Sequence, residues 1–276
     1  MLDIIVCQGR VGDRSEKTIE GAARTAQALE RRYGAKACWV GTPTAPARDS
    51  WCNSLPRARE TLVALREALA ASIGNGTLPV MVANTCSASL ASLPVVARTF
   101  PDAVVLWIDA HGDFNTPDTT NTGYLGGMVL AAACGLWDSG HGAGLRPEQT
   151  ILVGARDIDV AEGELLREFG VRIIPPTDAT PEMLLATIDG ANVWIHIDWD
   201  VLEPGFVPAD YDVPGGLLPA QLRQILAAIP STRVLGLEVA EFHSSSDEAG
   251  SADPIATILD TLSPLLVPRR CRDDGL

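Results

Sequence analysis

Strand–helix alternation along the whole chain predicts an α/β fold: a three-layer α-β-α sandwich around a doubly wound, mostly parallel sheet. Two further observations agree. Apolar runs such as Val104-Val-Leu-Trp-Ile108 are unbroken, as in strands buried on both faces. Four of these runs also end in polar segments, most of them acid-rich. In an open parallel sheet, all strand C-termini lie along one edge, where ligands bind. With no repeats, linkers or low-complexity segments, residues 1–276 read as one domain.

Leu2 to Cys7 is expected as the first strand, followed by a loop from Gly9 to Arg14. Ser15 can cap a helix to about Tyr33, with Ile19, Ala22, Ala26 and Leu29 on one face and Gly34 as the stop. Ala37 to Val40 is a short strand. Gly41 to Pro56 reads as a polar loop, and Arg57 to Ile73 as a helix ended by Gly74-Asn-Gly76. The strand Pro79-Val-Met-Val-Ala83 leads into a helix from Ser87 to Thr99, bent by Pro94. After the Val104 strand come a long Thr- and Asn-rich loop, Asp113 to Gly127, and a small helix, Met128 to Cys134. Ile151 to Gly154 and Val171 to Ile174 are strands flanking a helix, Glu162 to Phe169. The helix Pro181 to Ile188 precedes the strand Val193-Trp-Ile-His-Ile197. A Pro- and Gly-rich loop, Pro204 to Gly216, leads to the helix Gln221 to Ala228. The strand Val234-Leu-Gly-Leu237, a Ser-rich loop from Phe242 to Asp253 and a closing helix, Pro254 to Leu262, complete the order.

Composition narrows the function. Hydrophobic residues are 46% of 276, enough for a full core. No 18-residue apolar run exists and Met1 leads straight into a strand, so neither a transmembrane helix nor a signal peptide is expected. The six cysteines, at 7, 38, 52, 86, 134 and 271, show no CxxC pairing and are expected as reduced thiols in a cytoplasmic protein. A net charge of −14 argues against nucleic acid and anionic membranes as partners. It suits a small cationic substrate, and it also simply aids solubility.

The four strand ends carry the chemistry. They deliver Cys86, Asp109, His111, Asp113, Asp198, Asp200, Glu238 and Glu241 to one crevice. Asp109, His111 and Asp113 alternate, so an extended backbone would point all three the same way. Carboxylates so crowded repel each other unless cations neutralise them. A divalent metal site is therefore expected, against a solvated acidic rim.

These residues also carry a resemblance. Asp109-Ala-His-Gly-Asp-Phe-Asn115 resembles the D-A-H-x-D-x-N motif of the arginase/agmatinase ureohydrolases. Asp198-Trp-Asp-Val-Leu-Glu-Pro204 looks like their D-x-D-x-x-D-P motif, and Glu238-Val-Ala-Glu241 falls where they have D-x-x-E. The resemblance runs from about Val80 to Leu262. It implies the same α-β-α sandwich, with two manganese ions as cofactors. Asp109 and Asp198 would bridge them, Asp113 would belong to one, and His111 and Asp200 to the other. Hydroxide generated there would attack a guanidinium-type carbon, with Glu241 pairing with the guanidinium. Asn115 and Thr122 match residues that grip an α-carboxylate, and Asp159 one that grips the α-amino group, with Glu162 at the usual spacing.

Two departures bear on the substrate. Where the family usually has G-G-D-H-S, this chain has Ala83-Asn-Thr-Cys-Ser87, so Cys86 stands at a histidine ligand position. It is either a thiolate ligand or a buried structural cysteine. Where arginases have G-N-L-H-G, with its histidine as proton shuttle, this chain has Gly123-Tyr-Leu-Gly-Gly127. Gly126 replaces the histidine, and Tyr124 the asparagine, which unsettles the carboxylate contacts. Loss of a general acid costs roughly 10²–10⁴ in rate. An N-hydroxyguanidine, less basic than a guanidine, would need less help. The pair Cys86 and Gly126 resembles the branch of the family that hydrolyses Nω-hydroxy-L-arginine to ornithine and hydroxyurea in D-cycloserine biosynthesis. Weak action on L-arginine is then expected. His243 is a further candidate proton source beside Glu241; His196 reads as a hydrogen-bonded core histidine and His141 as a loop residue.

Two alternatives stand: an arginase- or agmatinase-type hydrolase of another guanidino compound, and a catalytically inactive metal-binding interaction protein. The tail Val267 to Leu276 looks too short to embrace a neighbour, so a monomer is expected.

Overall fold

A computed structural model describes residues 2–244 and 248–266. The strands are β1 (Leu2–Cys7), β2 (Ala37–Val40), β3 (Leu78–Val82), β4 (Val104–Ile108), β5 (Thr150–Val153), β6 (Arg172–Ile174), β7 (Val193–Asp198) and β8 (Val234–Ala240). They form one sheet in the order β2-β1-β3-β8-β7-β4-β5-β6. All its pairings are parallel. The four central strands, β3-β8-β7-β4, are those whose ends carry the predicted site.

The helices are α1 (Glu16–Tyr33), α2 (Trp51–Gly74), α3 (Ser89–Thr99), α4 (Val129–Ala133), α5 (Val160–Glu168), α6 (Pro181–Ile188), α7 (Pro219–Ala228) and α8 (Glu248–Leu262). Strand residues alternate between two cores. Ile4, Val6, Leu106 and Ile195 pack towards α1, α6, α7 and α8. Ile5, Cys7, Trp107 and Trp194 pack towards α2, α3, α4 and α5. The sequence caps hold: the Ser15 side chain accepts the Lys17 N–H, and Gly34 closes α1 at φ 66°.

Two loops are shorter than expected. Helix α2 begins at Trp51, inside the Gly41 to Pro56 segment, although it contains Pro56. Tertiary bonds hold its start: the Trp51 N–H donates to the Gly123 carbonyl at 2.7 Å, and Asp49 takes the Ser54 hydroxyl at 2.6 Å. Helix α8 begins at Glu248, so part of the expected Phe242 to Asp253 loop is helical and Pro254 lies within it. Glu248, Ala249 and Ala252 tolerate a helix well enough to carry it upstream of the proline. The tail used for the monomer expectation lies outside the described residues.

Among the described residues, no helix is long and apolar enough to cross a membrane. Five free cysteines are described there, and Cys7 and Cys86 are buried.

Candidate active site

The β4 end builds the first part of the site. Asp109 is buried, and its Oδ1 accepts the His111 N–H at 2.7 Å while its Oδ2 accepts the Trp107 indole N–H at 2.9 Å. The segment does not stay extended, as the alternation argument assumed. It turns sharply after Ile108, and Asp113 takes a left-handed φ of 49°. The three side chains converge through this turn rather than through strand alternation. Residues held at such φ values carry strain and gather at functional sites.

The β7 and β8 ends supply the second part. After β7 the chain makes a short 3₁₀ turn, Trp199–Val201, capped by Asp198, whose Oδ1 accepts the Asp200 N–H at 2.9 Å. Asp200 in turn accepts the Ala110 N–H at 3.1 Å, tying the β7 and β4 ends together. The His111 Nδ1 lies 2.9 Å from Asp200 and 3.4 Å from Asp109. Arg156 fastens this turn from outside, donating to the Asp200, Val201 and Val213 carbonyls. Glu241 follows β8, buried, with a left-handed φ of 65°.

Cys86 opens the turn after β3. Its Sγ donates to Asp198 Oδ2 at 3.1 Å and lies 3.3 Å from His196 Nε2. Beneath it lies a polar layer. His196 stacks on Trp107, with ring centroids 3.6 Å apart and planes within 4°. Its Nδ1 is 3.2 Å from Glu238 Oε2, which also takes the Ser89 hydroxyl. The Trp194 indole donates to Glu238 Oε1 at 2.7 Å. Glu238, expected in the crevice, instead sits fully buried below it. Depth along the strand is the reason: Glu238 pairs in register with His196 inside β8, whereas Glu241 lies past its end.

The crevice is a cavity of about 360 Å³. Cys86, His111, Asp113, Asn115, Thr122, Tyr124, Asp159, Glu162, Asp198, Asp200 and Glu241 all line it. Asn115 accepts the Thr119 hydroxyl, and Glu162 accepts the Phe114 N–H. Burial lifts Glu162 to about 7 despite that bond. The Tyr124 hydroxyl donates to Glu241 Oε1 at 2.7 Å. His243 is the exception among the expected catalytic residues. Its Nε2 lies 3.1 Å from Asp210 Oδ2, and the residue does not line the crevice. Its backbone N–H donates to the Pro208 carbonyl, which seats it against the 204–216 loop instead. That loop also supplies wall residues that sequence reasoning missed: Tyr211, Asp212 and Val213. Asp157, likewise missed, lies 3.7 Å from the His111 Nε2. Its only signal was the acid-rich run Ala155-Arg-Asp-Ile-Asp159 after β5.

The electrostatics call for cations. Burial first, and neighbouring carboxylates second, push Asp113 and Asp198 well above the usual carboxylate range. Asp200 is lifted to about 7 by burial and the Asp109 charge. Burial, with the charges of Asp13 and Asp200, lifts Glu241 to about 8 against hydrogen bonds from Tyr124 and Cys86. Burial and Asp198 likewise raise the Cys86 thiol. Burial would lower His111, but its bonds to Asp109 and Asp200 outweigh that and hold it protonated. Divalent cations would oppose each of these upward shifts, and at His111 they would displace the proton. The donors also converge. Asp109, His111 and Asp200 present ligand atoms within 4.8 Å of one another, as do Cys86, Asp198 and Glu241, and Cys86, Asp109 and His196. Asp113 lines the crevice outside these three groups. Carboxylates and imidazole suit hard divalent ions, and one thiol adds a softer donor. The donor set fits a metal centre.

A parallel sheet with acid-rich strand ends around such a centre defines a known class of hydrolase. The sequence model of the arginase family matches residues 17–262, and the chain belongs to that family. Over 264 residues it is 62% identical to the N(omega)-hydroxy-L-arginine amidinohydrolase of Streptomyces lavendulae, covering 96% of this chain and 97% of that protein. The arginase of Bacillus caldovelox is 26% identical over 230 residues, 76% of each chain. Among solved structures, the arginase from Bacillus subtilis superposes with a TM-score of 0.81 at 22% identity, covering 98% of this chain and 99% of that one. It shares the fold.

Proposed function

We propose that this hydrolase cleaves the hydroxyguanidino group of Nω-hydroxy-L-arginine, giving L-ornithine and hydroxyurea, and acts weakly on L-arginine. One observation carries the reading: Cys86, His111, Asp113, Asp198, Asp200 and Glu241 line one crevice, yet position 126 offers no side chain to act as an acid. The named activity of the Streptomyces lavendulae relative supports it.

Asp109, His111, Asp113, Asp198, Asp200 and Cys86 would hold two Mn²⁺ ions. When bound, such a pair supplies Lewis acidity and a nucleophile from water near neutral pH. Glu241 orients the guanidino group by accepting a charge-assisted hydrogen bond from one of its N–H groups. Asp159 holds the α-amino group, and Asn115 and Thr122 the α-carboxylate. Glu162 fixes the turn at Phe114 on which Asp113 rides. His196 and Glu238 orient Cys86 from below, as outer partners orient ligands elsewhere. Water adds to the guanidino carbon, the C–Nδ bond breaks, and the departing amine takes a proton. Asp159 favours an α-amino acid over agmatine. The same reading carries a cytoplasmic monomer that feeds hydroxyurea to D-cycloserine biosynthesis. Mass spectrometry of the products from manganese-loaded protein tests the reaction. Ornithine with hydroxyurea is the expected pair. Turnover of agmatine alone would turn the assignment to another guanidino substrate, and metal binding without turnover of any would leave a binding protein.

A further inference from the structure

The residue at 124 and the missing side chain at 126 are one device. A Cβ built on Gly126 would lie 2.5 Å from Tyr124 Cε1 and 3.0 Å from its Cζ. The phenol ring therefore fills the volume that any side chain at 126 would enter. The ring is also held from other sides. The Arg14 guanidinium lies 4.6 Å from its centroid, and the Tyr211 ring is 5.6 Å away. Arg14 itself donates to the Tyr211 hydroxyl at 2.9 Å and to the Thr122 carbonyl at 3.2 Å. A ring packed in this way is pre-organised rather than adaptable.

Its hydroxyl is placed with equal definition. Glu241 Oε1 accepts both the Tyr124 O–H at 2.7 Å and the Cys86 N–H at 3.1 Å. That oxygen is doubly engaged, which leaves the other Glu241 oxygen for the substrate. The phenol commits its only O–H to the hydrogen bond with Glu241, so towards the crevice its oxygen can only accept. A guanidine offers only N–H groups fixed in its plane. An N-hydroxyguanidine adds an O–H that extends one bond farther and can rotate towards that acceptor. A substrate lacking it leaves the phenol oxygen unpaired, and sites built to bond a substrate hydroxyl reject analogues without one.

We propose that Tyr124 is the specificity-determining residue, accepting a hydrogen bond from the substrate's N-hydroxyl, and that Gly126 is required to seat its ring. The proposal rests on the function proposed above. The test compares kcat and KM for Nω-hydroxy-L-arginine and L-arginine in the manganese-loaded wild type, Tyr124→Phe, Gly126→Ala and the double variant. Tyr124→Phe is expected to lower the preference for the hydroxylated substrate by about tenfold or more, with manganese content retained. Gly126→Ala, by displacing the ring, is expected to move the preference the same way, and the double variant to lose less than the two singles combined. Equal losses on both substrates would mark Tyr124 as merely structural and overturn the proposal. So would an unchanged preference in Tyr124→Phe. A wild type with no preference for the hydroxylated substrate would instead overturn the functional reading itself.

Discussion

At the scale of single residues, Cys86 is the most informative. Its place at the crevice was legible because the strand Pro79 to Ala83 ends just before it. Its surroundings were not legible, because His196 reaches it from β7 and is itself held by Glu238 of β8 and Ser89 of α3. His196→Ala should lower manganese affinity by about 10–100-fold, as measured by titration calorimetry, since it removes the partner that orients the thiol. Unchanged affinity would show that His196 serves packing alone. Gly236 is a second such position. A Cβ there would overlap the Trp194 ring, whose indole fixes Glu238. Gly236→Ala is expected to cost about 1–3 kcal/mol in urea denaturation, the range for overpacking a core. Nothing in Val234-Leu-Gly-Leu237 announced this, because the contact is made by the neighbouring strand.

At the scale of elements, strands were read best. Their apolar runs are unbroken and short, and length rather than period separates them from helices. The order β3-β8-β7-β4 explains why four distant segments share one edge, and pairing order is not written in any single strand. Helix starts were read less well where tertiary contacts override local signals, as at Trp51 and around Pro254. Where the local signal was strong, it held. The Thr180 side chain caps α6 by accepting the Met183 N–H, with Pro181 in its first turn. Thr180→Ala should therefore destabilise the protein by about 1 kcal/mol in the same denaturation experiment. A loss near zero would mean that α6 is held by packing alone.

At the scale of the whole molecule, the site is a concentration of buried negative charge in an already acidic chain, with a net charge of −14. Its linkage to pH has a definite sign. In the unfolded chain, Asp and Glu titrate near 4, whereas folding lifts Asp200 to about 7 and Glu241 to about 8. Between those limits the chelator-treated native protein binds more protons than the unfolded chain. Its stability should therefore be full below about pH 4 as far as these groups are concerned, and should fall as pH rises towards about 8. A divalent cation such as Mn²⁺ would select the ionised forms and should reverse the trend. At 100 times its Kd, each ion adds about 2.7 kcal/mol, which corresponds to a Tm several degrees higher. Melting curves from pH 5 to 8, with and without manganese, check both statements. A pH-independent gap between the two would contradict this account.

The central claim is that a cysteine-containing metal crevice, with no side chain at position 126, has been fitted to a hydroxyguanidino substrate. Its most direct test is the ratio of kcat/KM for Nω-hydroxy-L-arginine to that for L-arginine, measured on one manganese-loaded preparation. The account predicts a ratio well above one, with arginine turned over slowly. An equal or better rate on arginine would contradict it.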